Sequence, residues 1–233
     1  MISSSPQRLK VDVIIVADSS REEFRAMTRN CIDTVQNSNP RFEYNIIIVE
    51  SWDGFAGSGH RYDGCTVVVP GVPFNYNLFL QYGIAQGEAE WVALCNNDLL
   101  FDPEWMKEIK NTYDEFQIRG YEKCSSFSPW CPLVHPNRFK VKTNVHFGFR
   151  TGYELAGWCI VVRRDLLAKI NLDTRVDFWF SDNIYADELM RLEEEHCLVT
   201  NAVVTHLGSK TLNTRPRQEW KRLTTGQKNK YKS

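Results

Sequence analysis

Short β-branched runs alternate with helix signals through the first half of this chain, and that alternation limits its fold more than any other feature. Residues 11–17 read Val-Asp-Val-Ile-Ile-Val-Ala and residues 45–50 read Asn-Ile-Ile-Ile-Val-Glu. Both runs are short for helices and apolar at nearly every position, which predicts strands covered on two faces. Residues 65–69 and 91–95 predict a third and a fourth strand. Helices are expected over about 21–36, from Pro73–Asn75 to about 87, and from Pro103 to about 118. Asp18-Ser19-Ser20 can cap the first. Strands and helices alternating through short connections predict an α/β fold with a mostly parallel central sheet flanked by helices. The second half is less regular. Residues 126–150 carry Pro129, Pro132 and Pro136 among several aromatics and read as a long loop. Residues 158–163 predict a strand, 182–196 a helix and 198–205 a strand. The glycine-rich stretch 51–64 reads as a flexible surface loop, since it matches neither GxxxxGK[ST] nor the strand-turn-helix GxGxxG pattern.

The 233 residues suffice for one substantial domain, and 42% hydrophobic content supports a real core. No window approaches the roughly 18 uncharged apolar residues of a membrane span, and residues 1–7 carry no apolar segment of signal-peptide length. The seven cysteines include no CxxC pair and mostly sit in apolar runs. That pattern suits packed, reduced thiols and a cytoplasmic location, and argues against zinc. Net charge is −1, but seven basic residues face one acid between 215 and 233. The expected division is a domain over 1–213 and a basic C-terminal extension over 214–233. The extension reads either as a solvated tail or as an anion-binding segment.

Several residues have types and positions suited to chemistry. Asp98 ends the 91–95 strand run with Asn97 beside it, and open α/β sheets bind ligands at the carboxyl ends of strands. Its hard oxygens suit Mg²⁺ or Mn²⁺ and hence a diphosphate, although Asn-Asn-Asp is also an ordinary turn composition. Glu50 and Asp53 leave the second strand, as exposed acids or as acceptors for a ribose or base edge. Asp182 follows Phe178-Trp179-Phe180, where desolvation raises a carboxyl pKa and suits it to act as a base; a helix cap is the alternative. His206 ends the last strand run and is either structural or a second metal ligand beside Asp98. Gly208, Ser209 and Lys210 after it could meet a phosphate with backbone amides and a charge.

The order of these features resembles the family 2 glycosyltransferases of the GT-A fold, over about 11–209. The 11–17 run resembles the opening nucleotide-binding strand, with Asp18 at its exit. Ile46-Ile47-Ile48-Val49-Glu50-Ser51 resembles the strand whose terminal acid meets the base, with Glu50 for the usual Asp. Phe74-Asn75-Tyr76-Asn77 through Trp91-Val92 resembles the Asn-rich helix and the strand after it. Asn96-Asn97-Asp98 stands at the DXD position, with Asn96 replacing its first acid. Gly157 to Arg164 resembles the segment before the acceptor loop. Phe178-Trp179-Phe180-Ser181-Asp182 resembles the block that ends in the catalytic base, with Ser181 where Glu is common and Ile184 at the usual second acid. Asp187 comes only afterwards. Val203 to Gly208 resembles the late histidine element.

The resemblance implies an inverting, metal-dependent transferase that uses a nucleoside-diphosphate sugar, expected to be UDP-linked. Asp98 and His206 would hold Mn²⁺ or Mg²⁺, and Asp182 would be the base. Asp18, Glu50, Asp53, Asn77, Asn97 and Lys210 would meet the donor. The acceptor is a saccharide or, through the basic extension, a hydroxylated base in DNA. Trp130, Phe139, Phe147 and Phe149 could stack on either. A scaffold that binds nucleotide-sugar without turnover is the non-enzymatic alternative.

Overall fold

A computed structural model of the chain describes residues 8–135, 144–208 and 217–232. Strands β1 (Leu9–Ala17), β2 (Phe42–Glu50), β3 (Thr66–Val68) and β4 (Trp91–Asn96) form where the β-branched runs predict them. Helices α1 (Glu22–Gln36), α2 (Tyr76–Ile84) and α3 (Trp105–Ile118) alternate with them, and β5 (Leu99–Phe101) precedes α3. β6 (Cys124–Trp130), β7 (Val145–Phe147), β8 (Cys159–Arg163), α4 (Arg164–Leu167), α5 (Ser181–Arg191), β9 (Glu195–His206) and α6 (Arg217–Lys232) complete the order.

One sheet runs β3-β2-β1-β4-β8-β6-β9-β5, with β7 also on β9. The β3-β2-β1-β4 half is parallel. β8 turns the sheet by pairing antiparallel to β4 and β6, and β6 returns parallel to β9. Alternate side chains of β1 feed two cores. Val11, Val13 and Ile15 pack toward α1 and α3 with Cys31, Val35, Trp105 and Ile109. Ile14 and Val16 pack toward α2, α4 and α5 with Phe79, Leu80, Leu166 and Tyr185. Burial on both faces is why these strands read as unbroken apolar runs. Asp12 is the exception inside β1. Its carboxylate accepts bonds from Arg164 Nη2 (2.5 Å), Asn45 Nδ2 (2.7 Å) and the Ala89 amide (2.8 Å). A Cβ on Gly87 would come within 2.2 Å of Asp12 Oδ2, so only glycine fits there.

Four expectations change. The 126–150 stretch is not one long loop, because β6 runs through it as a buried central strand and β7 follows. Serines 126 and 128 and Pro129 hide the strand pattern in the sequence. Ser126 Oγ meets His196 Nδ1 at 2.8 Å, Ser128 Oγ meets His196 Nε2 at 2.9 Å, and Ser126 Oγ also meets Tyr185 Oη at 2.8 Å. A buried polar network is tolerated when its members are satisfied. The helix expected over 182–196 ends at Arg191, and Glu193 (φ 57°) turns the chain into β9. The glycine-rich 51–64 stretch is not simply a flexible surface loop. Phe55 and Tyr62 are buried from it, with rings stacked at 5.8 Å. The cap of α1 also differs: Arg21 holds the N-cap position without a side-chain bond, because Ser19 is bound to Glu50. The cysteines are free, and all but Cys65 are buried. No helix among the described residues is long and apolar enough to cross a membrane.

Candidate active site

The chain moves outward from β1 in both directions, to β2 on one side and to β4 on the other. Such a switch point opens a crevice at the carboxyl ends of the strands. Ala17 pairs with Glu50 and Val16 with Asn96, so the exits of β1, β2 and β4 lie side by side. β8 begins at the same edge, with Cys159 opposite Cys95, and delivers Gly157 and Trp158 there. β9 ends there with His206 opposite Leu99.

Asp98 and His206 meet as the sequence predicts. Asp98 Oδ2 lies 3.2 Å from His206 Nε2, with the residues 4% and 9% exposed. The approach is misaligned for a hydrogen bond. Asp98 Oδ1 and His206 Nε2 have no hydrogen-bond partner among the described residues. Buried polar atoms seldom go unmatched. An unmatched carboxylate oxygen and an unmatched imidazole nitrogen on neighbouring buried residues are donor types that could hold a cation. The His206 ring is held parallel to Trp158 at 5.5 Å and 14°. The Leu207 amide donates to the Asp98 carbonyl at 2.9 Å, locking the two strand ends together. No group of three or more His, Cys, Asp or Glu side chains suited to a metal exists among the described residues. Among the described residues the available donors here are one carboxylate and one imidazole, types that could hold Mn²⁺ or Mg²⁺.

Asp182 sits in the first turn of α5, where Oδ1 accepts the Asn183 amide at 3.0 Å. Burial raises its pKa above the usual carboxylate range, against the lowering effect of backbone hydrogen bonds from Asn183 and its own amide. Gly157 makes that position possible, since a Cβ there would lie 2.6 Å from Asp182 Cβ. Tyr76, at the start of α2, lies close enough to both carboxylates to feel their charges. Its hydroxyl donates to Asn96 Oδ1 at 3.0 Å. Its pKa is raised first by burial, and the charges of both Asp182 and Asp98 add to the shift. A small pocket lined by Tyr76, Asn77, Leu80, Leu94, Gly157 and Asp182 lies beside this group.

The expected donor contacts fall in different places. Glu50 is 1% exposed, and its carboxylate accepts from the Ser19 amide (3.0 Å), Ser19 Oγ (2.6 Å) and the Trp52 amide (2.8 Å). Burial raises its pKa against those bonds. With the Ser19 hydroxyl proton given to Glu50, Tyr62 Oη donates to Ser19 Oγ at 2.5 Å. Arg25 Nε donates to the Ser19 carbonyl at 2.7 Å, and the guanidinium covers the Trp52 ring at 5.2 Å. Glu50 thus fastens the exits of β1 and β2 to each other. Asp18 accepts the Ser20 amide at 2.8 Å, and Asp53 is exposed on a 3₁₀ turn. Asn77 is buried and donates to the Asp173 carbonyl at 2.7 Å. Asn97 donates to Thr28 Oγ1 at 2.9 Å. Lys210 and Phe139 lie outside the described residues. Reading for charged and metal-binding types passes over Tyr76, Gly157 and Trp158 as site residues; their only signal is position beside the acids.

Crevice, sheet order and flanking helices define the nucleotide-sugar-binding GT-A fold of glycosyltransferases. The chain shares this fold with a mannosyltransferase from Pyrobaculum calidifontis solved in complex with GDP-Man and Mn²⁺, at a TM-score of 0.62 and 14% identity. The likeness covers 95% of this chain and 62% of that one, so this chain spans under two thirds of that protein's length. No protein-family model matches the chain. No curated protein sequence matches it.

Proposed function

We propose that this protein is a metal-dependent glycosyltransferase that moves a hexosyl or pentosyl group from a nucleoside-diphosphate sugar to an acceptor hydroxyl, with inversion. The observation that carries this reading is the 3.2 Å approach of the buried Asp98 and His206 at the strand ends, with Tyr76 close enough to feel the charges of both Asp98 and Asp182. Asp98 and His206 would hold Mn²⁺ or Mg²⁺ against the donor diphosphate. The bound ion supplies positive charge where the leaving diphosphate develops negative charge. Trp158 stacks on the His206 ring, and the Leu207–Asp98 backbone bond holds the two strand ends together. Asp182 takes the acceptor proton, and its raised pKa keeps it a competent base near neutral pH. Tyr76, through Asn96, ties α2 to the end of β4. Asp18, Glu50 and Asp53 border the base and ribose side, Glu50 through the loops it fastens.

The family resemblance favours a UDP-linked donor, whereas the Pyrobaculum neighbour was solved with GDP-Man, so both nucleotides belong in the test. The experiment is a panel of UDP- and GDP-sugars scored by thermal shift with and without Mn²⁺, followed by an acceptor screen for nucleotide release. Metal-dependent stabilisation by at least one donor, followed by acceptor-dependent release, is the expected outcome. Binding without release under every acceptor would leave the non-catalytic scaffold. A saccharide acceptor is the leading reading. A hydroxylated base in DNA is the second, favoured by the exposed Lys221, Lys228 and Lys232 on α6, which packs against the Asp182 turn. A duplex base would have to be flipped out to reach Asp182.

A further inference from the structure

The residues before Asp182 adopt a conformation they do not favour. Phe180, the N-cap of α5, has φ 70° and ψ 8° and makes no side-chain cap bond. A bulky aromatic in the left-handed region persists only where surrounding contacts hold it. Those contacts come from two sides. From α2, Asn75 Nδ2 donates to the Thr174 and Val176 carbonyls at 2.8 Å each, and the Tyr76 amide donates to the Asp177 carbonyl at 2.7 Å. From α6, Gln227 is 5% exposed and its Oε1 accepts the Phe178 amide at 2.9 Å. Tyr231 lays its ring flat on Phe180, at 5.5 Å and 6°, and its hydroxyl donates to Asp187 Oδ2 at 2.7 Å. Lys230 Nζ reaches Asp177 Oδ2 at 3.1 Å. These contacts fall on both the turn and the helix that carry Asp182.

We propose that α6 is a positioning element for the Asp182 carboxylate, acting through Gln227 and Tyr231 on the 176–180 turn. This rests on the proposed role of Asp182 as base. Gln227 supplies an acceptor for an amide that the turn leaves unmatched. Tyr231 clamps Phe180 from outside while bracing the next turn of α5 through Asp187. Without them the turn can relax toward ordinary backbone angles, swing the first turn of α5, and admit water to Asp182. Displacing a reacting group by about 1 Å can cost on the order of 10²-fold in rate.

The test compares wild-type full-length protein with Gln227→Leu, which keeps the bulk and removes the acceptor. Tyr231→Ala, at a half-buried site, serves if that variant does not fold. Two readouts separate positioning from mere stability. The first needs no substrate: a carbon-13 titration of aspartate carboxyls, with the Asp182 signal assigned by its loss in Asp182→Asn. The titratable groups that feel the Asp182 charge are Tyr76 from α2 and Tyr231 from α6. Neither of these is changed in Gln227→Leu, so the expected fall of the Asp182 pKa toward the ordinary range reports added water. The second is kinetic: kcat lower by about 10-fold or more with the donor KM within about twofold, and an acid limb of kcat moved to lower pH. An unchanged Asp182 titration with unchanged kcat, whatever the melting temperature does, overturns the proposal. A moved titration in a protein whose wild type transfers no sugar upholds the positioning and instead removes the transferase reading.

Discussion

At the scale of single residues the crevice holds two carboxylates in unlike settings, and each setting predicts its own behaviour. Asp98 is buried with one oxygen unmatched among the described residues, which costs free energy that a bound cation would recover. Asp98→Ala should therefore abolish the metal-dependent part of UDP or GDP binding, measured by calorimetry with and without Mn²⁺. His206→Ala should weaken it less, because a neutral ligand brings no charge; wild-type affinity in either variant would remove that residue from the site. Asp182 pairs with no cation among the described residues, and its pKa is raised by burial. Asp182→Asn should leave donor affinity nearly intact and lower kcat by at least about 10²-fold. The stability effect has the opposite sign. A carboxyl with a raised folded pKa binds more protons in the native state, so its stabilising contribution is full below the unfolded pKa and lost as pH rises through the folded one. Asp182→Asn should thus unfold at a urea concentration no lower than wild type at pH 7. A large loss there would mean the ionised carboxylate is structural. Strand ends made Asp98 and His206 legible in the sequence, and the Phe178-Trp179-Phe180 run before it made Asp182 so. Glu50 was legible as an acid at a strand exit, but its bonding to Ser19 was not, since a contact across 31 residues leaves no local mark.

At the scale of elements, legibility follows burial pattern. β1, β2 and β4 are apolar on both faces and stand out, whereas β6 is interrupted by serines whose partners lie on β9 and α5. The histidine in that network gives β6 a pH signature. His196 is fully enclosed, and burial lowers its pKa to about 3. It stays neutral, with each ring nitrogen facing one serine hydroxyl. An unfolded histidine titrates near about 6.5. The unfolded state thus binds an extra proton between those values, and stability falls as pH drops through that window, by up to about 1.4 kcal/mol per pH unit. His196→Gln should be less stable at pH 7 but lose about one proton from the slope of unfolding free energy against pH between about 6 and 4. Urea titrations at each pH measure this. An unaltered slope would show that His196 is not what acid attacks. α2 and α5 illustrate the same rule from the functional side. Their apolar faces were readable, but Tyr76 is aimed by bonds to the Asp177 carbonyl and the Asn96 side chain, and Asp182 has room only because residue 157 is glycine.

At the scale of the whole molecule, charge distribution decides what can approach the crevice. Net charge is −1, yet Lys221, Lys228 and Lys232 are exposed on α6, a helix whose other side holds the Asp182 turn. Basic composition announced an anion-binding or solvated extension; that its helix docks on the domain required the buried Gln227, a polar residue no hydropathy pattern selects. Docking changes how the acceptor question must be asked. Deleting the segment from 214 onward would remove Gln227 and Tyr231 together with the lysines, so loss of activity would not separate charge from positioning. The triple variant Lys221→Ala, Lys228→Ala, Lys232→Ala removes only charge from the outer face. With a DNA acceptor its KM for acceptor should rise while the donor KM stays put. The wild-type binding constant should also fall with salt, each phosphate contact adding about −0.9 to the log–log slope. Three lysines allow a difference of up to about 2.7 between wild type and variant, less where a side chain does not reach a phosphate. A neutral saccharide has no condensed counterions to release, so both proteins should then show the same flat response. Duplex and single-stranded DNA, titrated between 50 and 200 mM salt (roughly the range over which such contacts lose most affinity), distinguish the two. Equal, shallow slopes with both forms would retire the nucleic-acid acceptor and leave α6 its role at Asp182 alone.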